Sequence, residues 1–429
     1  MFLPLELLRR VCYNAGDRAV ARRILETGST MSAPSRTTSP ASPHQALLIG
    51  LAYFGFVALG LSAGLLGVAW PSMRASFGVR LEALGVLLIA ATAGYIVASF
   101  SSGRLVACLG IGPLLIASGC VSAVGLWGYA VSSTWWVTLL AALVTGLGTA
   151  AIDSGLNTFV AVNADSRVMN WLHAAFGLGA TLGPALMTLI ITSGGSWRYG
   201  YAVGGLVTAC LAAGIAVTLP RWRVAPPGTE PNLGASLRYV SAAGTLRLPA
   251  LWLSILLAVA YTGAEVTVGQ WSFSLLTEAR SISAGVAGAW VSVFWGSFTV
   301  GRWVSGLAVA RLGVGRLVRL SVAGLVVGSI LMAWRANGAF NLIGLVTIGF
   351  AQAPIFPLLM STTPGRLGAA HAANAIGFQI SAAALGAAVL PGLVGIMAQG
   401  WGLEIIGPVL VVSSLIAGLL CEKVMGRLP

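Results

Sequence analysis

Two carboxylates stand where the surrounding sequence offers them no water. Asp153 lies in the apolar run TGLGTAAIDSGLNTFVAVN, residues 145–163, and Glu265 lies in LWLSILLAVAYTGAEVTVGQW, residues 251–271. Of the 11 acidic residues, the others can be assigned to helix ends, loops or the tail. An ionisable group inside a long apolar segment is costly and marks a functional site by default. Protonation of a carboxyl in a low-dielectric site responds to an approaching cation or ligand. The competing reading is a neutral carboxyl hydrogen-bonded to a neighbouring helix.

Other polar side chains cluster around these two. Asn157 follows Asp153 at i,i+4 and shares its helix face. It is either an interhelical hydrogen-bond partner or a ligand contact. His173 falls about one turn into the next helix, too shallow for a midplane site, so a packing or gating hydrogen bond is expected of it. His44 and His371 are assigned to the tail and a loop edge. A solute pocket is mostly apolar with a few placed polar groups. Candidates for those groups are Gln270, Trp271, Gln352, Asn374 and Gln379, with Trp290 and Trp295 as further aromatic faces. Gln352 precedes Pro354 and Pro357, so it sits either in a broken helix lining a cavity or in a merely kinked one.

These residues must be held by membrane helices. The chain has 429 residues, 57% hydrophobic and 8% charged, too few polar groups to cover a water-facing surface. Its net charge of +13 does not indicate nucleic acid, because the basic residues are scattered between apolar runs. Five dispersed cysteines without CxxC spacing suggest neither a disulfide framework nor a metal site. There is no nucleophile–base pair and no phosphate loop after a strand, so an enzyme is not expected, and no cofactor is implied.

Spans of about 20 apolar residues cross a bilayer as helices. Twelve occur, six in a half covering 46–219 and six in 248–429, an all-α membrane fold. Residues 220–247 form a polar, proline-containing linker. Residues 1–45 form a basic extension, disordered or weakly amphipathic, and Met31 offers an alternative start. Counting arginines on the two sides puts both termini and the linker in the cytoplasm. The predicted setting is a bacterial inner membrane, with a lipid bilayer and a small solute as partners and a monomer as the working unit. The turn GRLVACLG, 103–110, matches GLAVARLG, 306–313, at one constant offset and at the same joint of each half.

Two six-helix halves related by a parallel repeat resemble the major facilitator superfamily. The pattern from Asp153-Ser-Gly-Leu-Asn157 through Met169-Asn-Trp-Leu-His173-Ala-Ala-Phe176-Gly177-Leu-Gly179-Ala180 to Pro184 is similar to the fucose permease-like and sodium-dependent glucose transporter-like branch. Tyr261-Thr-Gly-Ala-Glu265, followed by Gly269-Gln270-Trp271, is a second match. The resemblance implies that Asp153 is the cavity acid linked to coupling by H⁺ or Na⁺, with Glu265 as its counterpart and Asn157 a polar contact. The first helix lacks the acid that permeases of this branch carry, which removes that route for proton coupling. Gly-Arg at 103–104 and 301–302, with Arg311, resembles the superfamily's cytoplasmic gating turn. Plain charge retention at the inner surface would account for Arg104, Arg302 and Arg311 equally well.

The expected function is secondary active transport of a small polar solute, a sugar by resemblance. The alternative on the same fold is an exporter of drug-like or other small metabolites. A non-transporting sensor would need a soluble domain that residues 1–45 do not offer.

Overall fold

The computed structural model describes residues 43–164, 166–222, 240–335 and 338–426. Most of the 1–45 extension, Met31 included, and most of the 220–247 linker lie outside these residues. Twelve helices are long and apolar enough to cross a membrane. In chain order they are α1 Pro43–Phe77, α2 Ala83–Leu109, α3 Ile111–Val131, α4 Trp135–Asn163, α5 Ser166–Thr192 and α6 Trp197–Val217. The second half follows with α7 Pro249–Ser274, α8 Ala284–Leu312 and α9 Val314–Ala333. It ends with α10, broken into Gly338–Gln352 and Ile355–Ser361, then α11 Ala369–Trp401 and α12 Ile406–Met425. No strand occurs among the described residues.

The helices stop where the backbone chemistry requires. Gly110 between α2 and α3, and Gly313 between α8 and α9, adopt φ of 80° and 73°. An L side chain there would be strained, so the turn that repeats between the halves is one geometry used twice. In α10, Pro354 and Pro357 cannot donate to the carbonyls four residues earlier. The helix is interrupted at residues 353–354, which answers the choice left open for that segment in favour of a break.

Within the first half, α1 packs on α5, α4 on both α2 and α3, and α3 on α6. In the second, α7 packs on α11 and α12, α8 and α9 on α10, and α9 on α12. The halves meet along α5 with α8, α2 with α11 and α1 with α7. Large apolar side chains such as Leu140, Leu189, Leu307 and Leu419 are exposed on the outside, where lipid replaces water as the solvent.

The start of α1 and the end of α12 lie at one face, called here the terminal face. At the opposite face the halves are closed against each other. A Cβ on Gly67 of α1 would stand 2.3 Å from the carbonyl oxygen of Gly269 in α7. A Cβ on Gly85 of α2 would come within 2.6 Å of the Gly392 Cα in α11. Arg74 pairs with Glu278 at 2.6 Å across the same seam, and the Leu81 amide donates to Gln399 at 3.0 Å. Behind it, buried Arg280 holds Glu404 at 2.8 Å and donates to the Met332 carbonyl and to Asn341, tying the segment after α7 to α9, α10 and the turn before α12.

Cys120, Cys210 and Cys421 are free.

Candidate functional site

A cavity of about 560 Å³ lies between the halves, with walls from α1 to α6 on one side and α7, α8, α10 and α11 on the other. The two carboxylates that opened the sequence reading both line it. They differ in surroundings and in depth. Asp153 sits ten residues before the α4 end at Asn163, and Arg302 sits ten before the α8 end at Leu312. At about 1.5 Å per residue, each is roughly 15 Å from the terminal face. Glu265 is sixteen residues into α7 from Pro249, deeper than Asp153 and not level with it.

Asp153 is fully engaged by its own half. The Tyr95 hydroxyl of α2 donates to Oδ2 at 2.8 Å, and Asn157 Nδ2 donates to Oδ1 at 2.9 Å. The same amide also reaches the Asp153 main-chain oxygen at 3.0 Å. Asn157 therefore supports the acid, as i,i+4 spacing allows, and it does not itself line the cavity. α2 meets α4 closely enough for Tyr95 to reach because both helices carry glycine there. A Cβ on Gly94 would meet the Leu143 carbonyl at 2.1 Å, and one on Gly146 would meet that of Ala91 at 2.0 Å.

The opposite wall is less self-contained. Glu265 presents its carboxyl to the cavity, with Arg302 in electrostatic contact but outside ion-pair distance. The Arg302 guanidinium lies over the Phe298 ring at 4.5 Å, a cation–π arrangement. Its Nε is buried and has no hydrogen-bond partner among the described residues. Gln270 lines the cavity while only 8% exposed, and its Oε1 also lacks a partner. Tyr261 lines the same wall and donates to the main-chain oxygen of Gln352 at 2.9 Å.

Arg302 is the main correction to the expected gate. It is not at the turn but well inside α8. The constant offset between the halves pairs Gly103 with Gly306 and so Arg104 with Leu307, which leaves Arg302 without a mate. Gly301 brings α8 against the α10 backbone at Phe350, fixing where Arg302 points. Arg104 and Arg311 are exposed near the terminal face, consistent with the turn. His173 does reach the cavity, because the space extends toward that face; its ring meets Phe56 edge-on at 5.5 Å.

Four expected solute contacts lie elsewhere. Trp271 is fully buried with its indole donating to the Pro391 carbonyl at 2.9 Å, which locks α7 to α11. Gln379 pairs with Thr363 at 3.2 Å beneath α11. Asn374 donates to the Val240 carbonyl at 2.9 Å, holding the end of the linker. Gln352 is buried, and neither of its amide atoms has a partner, but it does not line the cavity. Each position was chosen for residue type, and helix rotation turned it away. Tyr95, Tyr129, Tyr201 and Tyr261 all line the cavity and were passed over. Four tyrosines within predicted spans were the available signal, since a phenol deep in lipid needs a partner.

Residues 52–391 match the family model described as Major Facilitator Superfamily. The sodium-dependent glucose transporter 1 of Homo sapiens is 26% identical over 80% of this chain and 72% of its own length. The glucose/mannose transporter GlcP of Bacillus subtilis is 24% identical over 53% of this chain and 57% of its own. Among solved structures, the nucleoside transporter NupG superposes with a TM-score of 0.72 at 14% identity, covering 89% of this chain and all of NupG. The transporter FucP in an outward conformation gives 0.61 at 15% identity, covering 88% and 98%. The branch read from the two motifs agrees with these relatives. The chain belongs to the Major Facilitator Superfamily and is an integral membrane transporter of small solutes, not an enzyme.

Proposed function

We propose that this transporter moves a sugar or sugar-like solute by alternating access, coupled to H⁺ or Na⁺ at Asp153. The observation that carries this reading is the Tyr95–Asp153–Asn157 arrangement on the wall of a cavity between the halves. A carboxyl with two donors already in place can exchange a cation without rebuilding its surroundings. Hydroxyl-bearing solutes need such polar points within aromatic walls, and the glucose-transporting relatives support that solute class.

The arginine distribution favours a cytoplasmic terminal face, in a bacterial inner membrane, with one chain forming the whole pathway. On that assignment the far-face seam of Gly67, Gly85 and Arg74 is the outer closure, and the molecule is in an inward-facing state. The exporter reading keeps support from the Phe56, Phe176 and Phe356 surfaces of the cavity.

The test is uptake into proteoliposomes with an imposed pH or Na⁺ gradient against a sugar panel. Accumulation of a sugar down one of these gradients is expected. Extrusion of apolar solutes with no sugar uptake would favour the exporter instead.

A further inference from the structure

We propose that the solute carries a carboxylate, a sugar acid rather than a neutral sugar, seated on Arg302 of α8 with Glu265 and Gln270 of α7 completing the polar wall. The inference rests on the sugar reading above and narrows it.

The argument begins with charge. A carboxyl in a buried cavity can become neutral by taking a proton, but a guanidinium cannot lose its charge in a protein. Arg302 is therefore the one cavity charge that proton exchange cannot remove. It lies ten residues before the end of α8, roughly 15 Å by helix rise, with its Nε buried. A cation so placed needs an anion.

Its own half supplies none at bonding distance. Arg302 forms no ion pair within the described residues, and its Nε has no acceptor. The face of Phe298 steadies the charge without neutralising it. Across the cavity, both oxygens of Asp153 are held by Tyr95 and Asn157. Glu265 is the only remaining carboxylate in the lining, and it forms no ion pair with Arg302. The planar fork of arginine matches a carboxylate in two parallel hydrogen bonds.

Gln270 gives a second point on the same wall. Its side chain is 8% exposed, lines the cavity and leaves Oε1 without a donor. A buried amide oxygen in that condition is costly, and a solute hydroxyl satisfies it. Gln270 lies five residues beyond Glu265 on α7, about 7.5 Å by helix rise, a distance one monosaccharide can cover. A carboxylate at one end and hydroxyls at the other fit this order of groups.

The exchange also couples the anion to a proton. With the solute absent, an ionised Glu265 would serve as the counter-ion of Arg302 across the wall. A solute carboxylate bonded to Arg302 replaces it in that role and repels it, so Glu265 takes up a proton from the side on which the solute enters. One anion and one proton enter together, and the net charge of the wall is unchanged. The other titratable groups facing this space are Tyr261 on α7, Tyr95, Asp153 and His173 across the cavity, and Tyr129 and Tyr201 beyond them. Helices α1, α10 and α11 contribute no titratable side chain to the lining.

D-Glucuronate and D-glucose differ only at C6 and provide the test. Wild-type protein in proteoliposomes is expected to take up glucuronate with at least about tenfold the efficiency of glucose, the worth of a charge-assisted contact. In Arg302→Gln that ratio is expected to fall to about one, and in Arg302→Lys to an intermediate value. Glu265→Gln is expected to remove the dependence of glucuronate uptake on an imposed pH gradient, and a retained dependence overturns proton exchange at Glu265. If Arg302→Gln does not fold, as judged by its melting temperature, the wild-type ratio and the Glu265→Gln result decide alone. Uptake of glucose with a wild-type ratio near or below one overturns the anionic solute and leaves the sugar reading standing. Uptake of neither, with no member of a sugar panel transported, overturns both.

Discussion

The two walls of the cavity solve the burial of a carboxylate in opposite ways. Asp153 is enclosed by donors from its own half, Tyr95 at 2.8 Å and Asn157 at 2.9 Å. Glu265 shares its wall with Arg302 and Gln270, both of which keep an atom without a partner. Hydrogen bonds to a charged group are worth about 1.5–3 kcal/mol each, so the first wall is complete before any solute arrives. The second is left open for one. The contrast assigns a preformed ion site to the first half and solute recognition, with the proton that accompanies it at Glu265, to the second, a division that single substitutions can test.

The largest effect is expected at Asp153→Asn. Gradient-driven accumulation should fall to the level of protein-free liposomes, while solute exchange without a gradient continues. Loss of both would put the solute on the first wall and erase the distinction. Next comes Gln270→Leu, which should raise the KM for uptake about tenfold, the worth of one buried polar contact. Its dependence on the ion gradient should be unchanged, and a loss of coupling there would count against the division. Tyr95→Phe removes one donor from Asp153 and keeps the ring. A several-fold shift in the half-saturating concentration of the coupling ion is expected, read from the ion dependence of initial rates. Asn157→Ala should act in the same direction but less, because its amide is shared with the Asp153 main-chain oxygen. The smallest transport effect belongs to Trp271→Phe. It should leave KM unaltered and lower only the melting temperature, since that indole binds Pro391 and not the solute.

Much of this architecture was legible because lipid imposes simple rules. Long apolar runs had to become helices, and Asp153 and Glu265 stood out because charges are so rare there. The break in α10 was visible in Pro354 and Pro357, and the repeated turn in Gly110 and Gly313. What the sequence did not disclose was rotation about each helix axis. Trp271 immediately follows Gln270, yet one faces α11 and the other the cavity. Tyr95 went unnoticed because its value depends on how closely α2 approaches α4, which glycines on both helices decide. Arg302 was assigned to a turn because it follows a glycine, although the repeat offset alone would have excluded that. Asn374 and Gln379 carry the right functional groups but bind backbone and threonine in their own half.

The glycine seam at the far face bears on how readily the molecule can change state. Contact there is made by bare backbone, Gly67 on Gly269 and Gly85 on Gly392, beside an ion pair whose side chains are 30% and 29% exposed. A half-exposed pair of this kind contributes little, about 1 kcal/mol or less. At these two glycine contacts no side chain has to be unlocked for the backbones to part, and water can bind the carbonyls that are released. A solute or ion shifts such a closure only by as much as its affinities for the closed and parted forms differ. Bulk added at Gly67 or Gly85 would act on that balance from a distance, holding the seam apart without touching the cavity.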